Sequence, residues 1–407
     1  MLGKYWQSAI FLLLVLSLIF REALLVLILL LVCLAGGVSR LWNHYCLSRV
    51  EYRRHLSSSR VFFGEEVQLE VEIANRKLLP LPWLQIDDGV PEEVTFLKGR
   101  TSAPLGEARP LLRNLITLGW YHRVKRRYPL KCLRRGYFAF GPARIRSGDL
   151  FGFFSREMNL PQTDYLMVYP RIVPLAKLGI PSREPLGDIL VRSDIFQDPI
   201  LTLGVRDYQS GDSLKRIHWK STARSGKLQT RVFETTTTVD VGLFFDVRTT
   251  KLPLRGVITD RLELGIVAAA SLASYALAHG HRVGLYVNQN RRFTGQPLRL
   301  PSSQSPDQLR QILEALAGVH SWDTMPISQV VRRESVLLSW GSTLVVISAA
   351  PTGLLVAILL KMKRAGRRVV LVVVGGEKPA EIGGLSVFHI GDDVKWSETE
   401  QLSIVSG

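Results

Sequence analysis

Thr238-Val-Asp-Val-Gly-Leu-Phe-Phe-Asp246 is a mostly apolar run that ends on a carboxylate. β-branched and aromatic side chains suit a pleated, buried surface, and a continuous apolar run predicts a strand covered on both faces. The pattern then changes period. Leu262–His279 is an Ala-rich helical stretch closed by Gly280, and Arg282–Val287 is strand-like again. Pro306–Ala317 reads as helix, Thr343–Ser348 as strand, Leu354–Arg364 as helix ending before Gly366, and Arg368–Val374 as strand. Apolar strands alternating with helices predict a doubly wound parallel α/β sheet. Ligands of such sheets sit beyond the strand C-termini, which is where Asp246 falls.

Working back towards the N-terminus, Val50–Val168 has a different texture. Val67-Gln-Leu-Glu-Val-Glu-Ile73 alternates apolar and polar side chains, the pattern of a half-buried strand. Asn75–Pro82 reads as a turn. Tyr128–Leu133 and Tyr137–Arg146 read as further strands broken by Gly and Pro. With no long helical pattern in between, a small β-sandwich is expected. Tyr121–Arg146 carries nine Lys or Arg and no acidic residue. Such a stretch can mark nucleic-acid binding, or simply the solvent face of a sheet near anionic lipid. No nucleic-acid-binding motif accompanies the charge, so the second reading is preferred.

The first forty residues belong to another chemistry. Between Trp6 and Val38 the only charges are Arg21 and Glu22, which separate the apolar runs Ser8–Phe20 and Ala23–Val38. A single helix through both runs would carry the two charges at the bilayer centre, at about 2.5–3.5 kcal/mol each. A transmembrane helical hairpin places Arg21-Glu22 in the turn instead; one span plus one interfacial helix is the alternative. Each run is shorter than the ~20 residues a span needs, so Tyr5, Trp6, Trp42 and Tyr45 are expected to act as interfacial aromatics. Lys4 precedes the first run, and Arg40, Arg49, Arg53, Arg54 and Arg60 follow the second. The positive-inside rule then puts both ends in the cytoplasm and the chain in the cytoplasmic (inner) membrane. A second apolar run without a small-residue cleavage site argues against a removed signal peptide. Cys33, Cys46 and Cys132 are too few and too scattered for a disulfide framework. The net charge of +17 favours anionic partners such as an inner leaflet or an acidic protein.

These readings divide the 407 residues into a hairpin (1–45), a β-sandwich-like domain (46–169), a connector (170–235) and the α/β domain (236–407). The connector opens with a Pro-rich stretch, Pro170–Thr202. Its most distinctive part follows: Gly204-Val-Arg-Asp-Tyr-Gln-Ser-Gly-Asp-Ser-Leu-Lys-Arg-Ile-His-Trp-Lys-Ser-Thr-Ala-Arg-Ser-Gly-Lys-Leu228. Gln209–Asp212 predicts a turn, with Asp212 or Ser213 capping a helix from Leu214 onward. Arg206, Asp212, Arg216 and Arg224 are the residue types of an ion-pair network, and Tyr208 and Trp219 those of a packing anchor. A structural or docking role fits them better than catalysis. Asp212 or His218 could act as a base, but no partnered nucleophile accompanies them.

Arg206, Tyr208, Gly211, Asp212, Arg216, Ile217, Trp219, Thr222, Ala223 and Arg224 fall in the pattern of a bacterial and archaeal family, the domain of unknown function 58 family, which this segment resembles. Arg135-Gly136-Tyr137, Gly148-Asp149-Leu-Phe-Gly-Phe153 and Val168-Tyr169-Pro170 resemble the family's lead-in, with Leu150 where Pro is usual. The resemblance implies a von Willebrand factor A-like C-terminal domain. In that fold the first strand usually ends Asp-x-Ser-x-Ser and helps hold Mg²⁺ or Mn²⁺ through oxygen ligands. Here the run is Asp246-Val-Arg-Thr-Thr250, so Arg248 takes the first hydroxyl position and only Thr250 keeps an oxygen. The later strand reads Ile347-Ser-Ala-Ala350 and lacks the expected acid. A degenerate metal site is therefore expected, with no cofactor or at most weak Mg²⁺ at Asp246. Arg248 could supply its own charge towards an acidic partner.

His279-Gly-His281 has metal-like spacing, but histidines at a helix end are expected to face solvent. No phosphate loop, Gly-x-Ser-x-Gly or Cys-x-x-Cys occurs. The expectation is a non-enzymatic, membrane-tethered adaptor or scaffold that binds proteins through its α/β domain. The resemblance implies a MoxR-type AAA+ ATPase and a transglutaminase-like membrane protein as partners. The alternative is a metal-dependent ligand-binding protein or hydrolase using Asp246.

Overall fold

The computed structural model describes residues 23–97, 101–102, 109–181, 197–209, 212, 214, 217–235, 240–250, 256–291, 294–339, 341–379 and 382–397. The chain divides into two compact units, Met1–Tyr169 and Pro170–Gly407.

Helix α1, Ala23–Tyr45, opens the described part of the first unit. Its 23 residues give a length of about 35 Å, enough to cross a ~30 Å hydrocarbon layer unaided. Nothing from Ser39 to Tyr45 breaks a helix, so the backbone continues past the apolar run to the aromatic pair Trp42 and Tyr45. Leu24, Leu27, Leu34 and Leu41 are 58–74% exposed, an apolar surface that water would not tolerate at this density. The Ser8–Phe20 run and the Arg21-Glu22 turn lie outside the described residues.

Twelve strands follow: β1 (Val50–Leu56), β2 (Arg60–Phe62), β3 (Glu66–Asn75), β4 (Leu81–Gly89), β5 (Val94–Phe96) and β6 (Thr101–Ser102). Then come β7 (Leu111–Leu118), β8 (Arg123–Cys132), β9 (Gly136–Phe140), β10 (Ala143–Gly148), β11 (Ser155–Leu160) and β12 (Asp164–Tyr169). They form sheets ordered β1-β3-β8-β5, β11-β10-β4-β7-β6 and β2-β12-β9. Alternation along β3, β7 and β10 buries every second side chain. The inward faces of the two larger sheets share one core, with Leu69, Val71 and Leu130 from one and Leu84, Ile86, Leu112 and Ile145 from the other. The β-rich domain read from the sequence is present. Cys33, Cys46 and Cys132 are free thiols.

Three cations of the basic stretch are answered by its neighbour in the sheet. β8 pairs antiparallel with β3, and this register sets Lys125 opposite Glu72 and Arg127 opposite Glu70. Lys125 bridges Glu70 and Glu72 at 2.8 and 3.2 Å, Arg127 reaches Glu70 at 2.8 Å, and Arg123 reaches Glu72. The outward face of this strand pair is thus a ladder of opposite charges rather than an open cationic strip. Paired cations hold the Glu70 carboxyl down at about 2.

A buried polar cluster ties β1 to β4 and β12. Arg54, its side chain 1% exposed, reaches Asp88 at 3.0 Å and Asp164 at 3.1 Å, and donates to the Gln162 carbonyl. Tyr52 donates to the other Asp88 oxygen at 2.6 Å. Burial pushes Asp88 up to about 6 against the pull of Arg54.

In the second unit a hairpin, β13 (Gln197–Asp207) and β14 (Gln229–Thr235), encloses the short helix α2 (Trp219–Ser225). β13 takes up residues expected to be irregular connector, and its pairing with β14 shifts register between Gln197 and Thr202, around Pro199. The α/β part comprises β15 (Asp240–Phe245), α3 (Thr259–Ala278), β16 (Arg282–Asn290), β17 (Pro297–Ser303), α4 (Gln308–Ala317) and α5 (Ile327–Glu334). It continues with β18 (Thr343–Ser348), α6 (Gly353–Arg364), β19 (Arg368–Val374) and β20 (Ser386–Ile390). The sheet order is β17-β16-β15-β18-β19-β20, parallel throughout except for β17. Numbered along the chain this is 3-2-1-4-5-6, a doubly wound sheet with its switch point between β15 and β18. Residues 241–245 of β15 and all of β18 are buried, as their unbroken apolar runs require. α3 is apolar enough to pass for a span, but two thirds of it is buried as the core helix of this sheet. Sequence reading missed β17, β20 and α5. β17 carries two prolines and polar side chains, which disguise an edge strand.

Candidate functional site

Asp246 follows β15, Asn288 lies near the end of β16, and Ser348 closes β18, so three adjacent strands deliver polar side chains to one point at the switch crevice. Parallel register aligns these strand ends: Phe245 pairs with Val287 on one side and Ile347 on the other. Asp246 is 4% exposed. Its Oδ1 accepts from Asn288 Nδ2 at 2.8 Å and from the Arg248 backbone N–H at 3.1 Å. Its Oδ2 accepts from Ser348 Oγ at 2.8 Å. Asn288 in turn accepts from the Val247 N–H at 2.9 Å, and Ser348 Oγ from the Ala350 N–H at 3.2 Å. Burial pushes the Asp246 carboxyl up to about 6 even though these donors favour its charged form.

Arg248 turns to an acid far along the chain. Its Nε and Nη2 lie 2.8 and 2.7 Å from Asp323 Oδ2. Asp323 sits between α4 and α5, beside Thr324, whose N–H and Oγ1 reach the Asn288 carbonyl at 2.9 and 3.3 Å. The Asp246–Asn288 hub and the Arg248–Asp323 pair are therefore joined through β16. Thr250 Oγ1 donates to the Gly256 carbonyl at 3.2 Å. Thr249 is buried and accepts from the Ile258 N–H at 2.8 Å, pinning the loop ahead of α3.

The donor set does not fit a hard divalent cation. Both Asp246 oxygens already accept hydrogen bonds, a guanidinium-bearing side chain occupies the first hydroxyl position, and the Thr250 oxygen is bonded elsewhere. Mg²⁺ wants about six oxygens in near-octahedral geometry.

Asp212 Oδ1 meets Arg206 at 2.8 Å and its Oδ2 accepts the Gln209 N–H at 3.0 Å, closing the turn. The Gln209 backbone N–H, and after it the Arg206 guanidinium, hold Asp212 below its ordinary carboxylate range. Leu214 lies in a 3-10 turn, and the α-helix α2 begins at Trp219, capped by His218, whose Nδ1 accepts the Ser221 N–H at 3.1 Å. An imidazole nitrogen thus caps α2, while Ser213 lies outside the described residues. Gln229 donates to Asp207 across the hairpin. Trp219 is 68% exposed, so it does not anchor by packing, and Arg224 is exposed at the helix end. Tyr208 is half-buried; Gly211 and Arg216 lie outside the described residues. His281, expected to face solvent, is 5% exposed, whereas His279 stacks on Tyr275 with ring centroids 4.0 Å apart. The two rings therefore differ in environment.

Sequence reasoning found Asp246 and Arg248 but missed Asn288 and Asp323. Asn288 lies one residue beyond the apolar run taken as its strand, so a polar residue at a strand C-terminus was the available signal. Asp323 has none, because it lies 75 residues from Arg248 in an irregular segment.

Among solved structures, the chain is similar to a CARDB domain in complex with di-metal ions from Pyrococcus furiosus, at 11% identity, a TM-score of 0.20, and coverage of 29% of this chain and 89% of that one. It is also similar to a non-cellulosomal cohesin from Archaeoglobus fulgidus, at 11% identity, a TM-score of 0.21, and coverage of 29% and 91%. At such scores these likenesses carry no argument. Among curated proteins, the uncharacterized protein YeaD of Bacillus subtilis (strain 168) is 24% identical over 340 residues, covering 83% of this chain and 79% of that protein. Residues 204–377, from the signature segment to the strand β19 and the two glycines after it, match the family described as protein of unknown function DUF58.

Proposed function

We propose that the chain is a membrane-tethered adaptor whose α/β domain, a von Willebrand factor A-like fold with a degenerate metal site, binds a partner protein at the strand crest around Arg248. One observation carries this reading: the place where such a fold holds a cation is filled by the chain itself. Asp246 is satisfied by Ser348, Asn288 and a backbone N–H, while Arg248 and Asp323 form a partly exposed pair at the rim. The 3-2-1-4-5-6 order with β17 antiparallel supports the fold assignment. α1, long and apolar enough to span a bilayer, supports the tether, and the basic residues after it support a cytoplasmic body at the inner membrane. A MoxR-type AAA+ ATPase and a transglutaminase-like membrane protein are the partners proposed on the family resemblance. The glutamates paired with Arg123, Lys125 and Arg127 on the β3–β8 face argue against nucleic acid.

Affinity capture of the full chain from detergent-solubilised membranes tests the reading. Enrichment of a partner that is lost with Arg248→Glu supports it; no enriched protein overturns it. Calorimetry with Mg²⁺ and Mn²⁺ tests the metal-dependent alternative. Binding heat that disappears in Asp246→Ala would favour that alternative.

A further inference from the structure

The chain leaves α1 directly into β1, and strand register shows which end of the β-rich domain lies beside that exit. Val50 pairs with Asn75, and Ala74 with Arg123, so the β3–β4 and β7–β8 turns lie at the start of β1. Leu84 pairs with Ser147, which brings the β10–β11 loop to the same end. Side-chain bonds draw these loops to the helix. Lys77, buried in the β3–β4 turn, donates to the Cys46 and Ser48 carbonyls at 2.7 Å each. The Tyr121 N–H donates to the Lys77 carbonyl at 3.2 Å, and Arg156 donates to the His44 carbonyl at 2.7 Å.

Each loop ends in apolar side chains that the domain does not cover. Leu78 is 71% exposed, Trp120 68%, Tyr121 65%, Leu150 62%, Phe151 61% and Phe153 37%. The β10–β11 loop holds its pair rigidly. Asp149, 1% exposed, accepts the N–H groups of Phe151, Phe153 and Phe154 at 3.1, 3.2 and 2.7 Å. Gly152 supplies a left-handed φ of 74°, and the Phe151 and Phe153 rings stack 5.7 Å apart, facing outward. Exposed Arg49 and Arg76 flank this apolar tip, Arg76 paired with Glu51 at 2.9 Å.

We infer that these three loops form a membrane-seating collar that inserts Leu78, Trp120, Tyr121, Leu150, Phe151 and Phe153 into the headgroup layer of an anionic bilayer around the exit of α1. This deepens the tether reading and rests on it. A helix of about 35 Å in a hydrocarbon layer of about 30 Å places Tyr45 and Cys46 at the interface, and the loops bonded to that exit share its depth. Aromatic rings prefer this layer, and flanking cations are drawn to anionic headgroups. The Gly148–Phe153 motif thereby acquires a role: its buried Asp preorganises a two-ring wedge.

The experiment uses the full chain in nanodiscs of anionic phospholipid, with Cys33→Ser; Cys46 and Cys132 are fully buried. An environment-sensitive nitrobenzoxadiazole label is placed at Phe151→Cys, Tyr121→Cys or, at the opposite end of the ten-residue β8, Leu133→Cys, about 30 Å away. Shallow doxyl lipids should quench the labels at 121 and 151 by roughly half and leave the label at 133 unchanged, as interfacial insertion requires. Carbonate extraction of membranes separates the two failures. A chain that resists extraction but shows unquenched labels at 121 and 151 overturns the collar and leaves the tether standing. A chain that is extracted overturns both.

Discussion

Replacing Asp246 with Asn separates two accounts of the α/β crest. The carboxyl is 4% exposed and pushed up to about 6, against about 3.8 in an unfolded chain. A carboxyl raised on folding binds more protons in the native state. Its favourable contribution is therefore complete below pH 3.8 and is lost as pH rises through 6. A shift of about two units corresponds to about 3 kcal/mol against the native state at pH 8. Asn keeps an oxygen for Asn288 Nδ2 and the Arg248 N–H, but turns an amide towards Ser348 Oγ and strands that hydroxyl's proton, at about 1 kcal/mol. The net expectation is a gain of about 2 kcal/mol at pH 8, near 4–8 °C in the melting of this unit, that vanishes by pH 4. Calorimetry of the full chain in detergent across pH 4–8 reads it. A variant less stable than the parent at pH 8 would refute the reasoning, because it would mean that the site needs an anion, as a cation ligand would.

Three further outcomes are expected. Arg54→Ala leaves Asp88 and Tyr52 buried without their cation and should cost about 3–5 kcal/mol in urea unfolding of the β-rich unit. Adding Asp88→Asn should recover part of this loss. Lys77→Met removes both bonds to the Cys46 and Ser48 carbonyls, a loss of about 2–4 kcal/mol, and should open residues 45–50 to limited proteolysis. Arg248→Gln, at a partly exposed pair, should change melting by no more than about 1 kcal/mol while removing any captured partner.

Periodicity alone determined the succession of an apolar helix, alternating strands and a wound α/β sheet. Burial on one face, two faces or all round leaves a different spacing of apolar residues in each case. The strands Thr343–Ser348 and Arg368–Val374 were legible to the residue, because unbroken Val and Ile runs are bounded by Gly or polar residues. Edge elements were not: β17 and β20 bury too little to show a pattern. Asp246 could be found because it closes such a run. Its partner Asn288, and Asp323 opposite Arg248, could not, since they are brought into place by parallel register and by a loop between α4 and α5, both long-range features. The cationic strand β8 has the same lesson. Its charge could be counted in the sequence, but only its register against β3 decided that Glu70 and Glu72 pair with Arg123, Lys125 and Arg127.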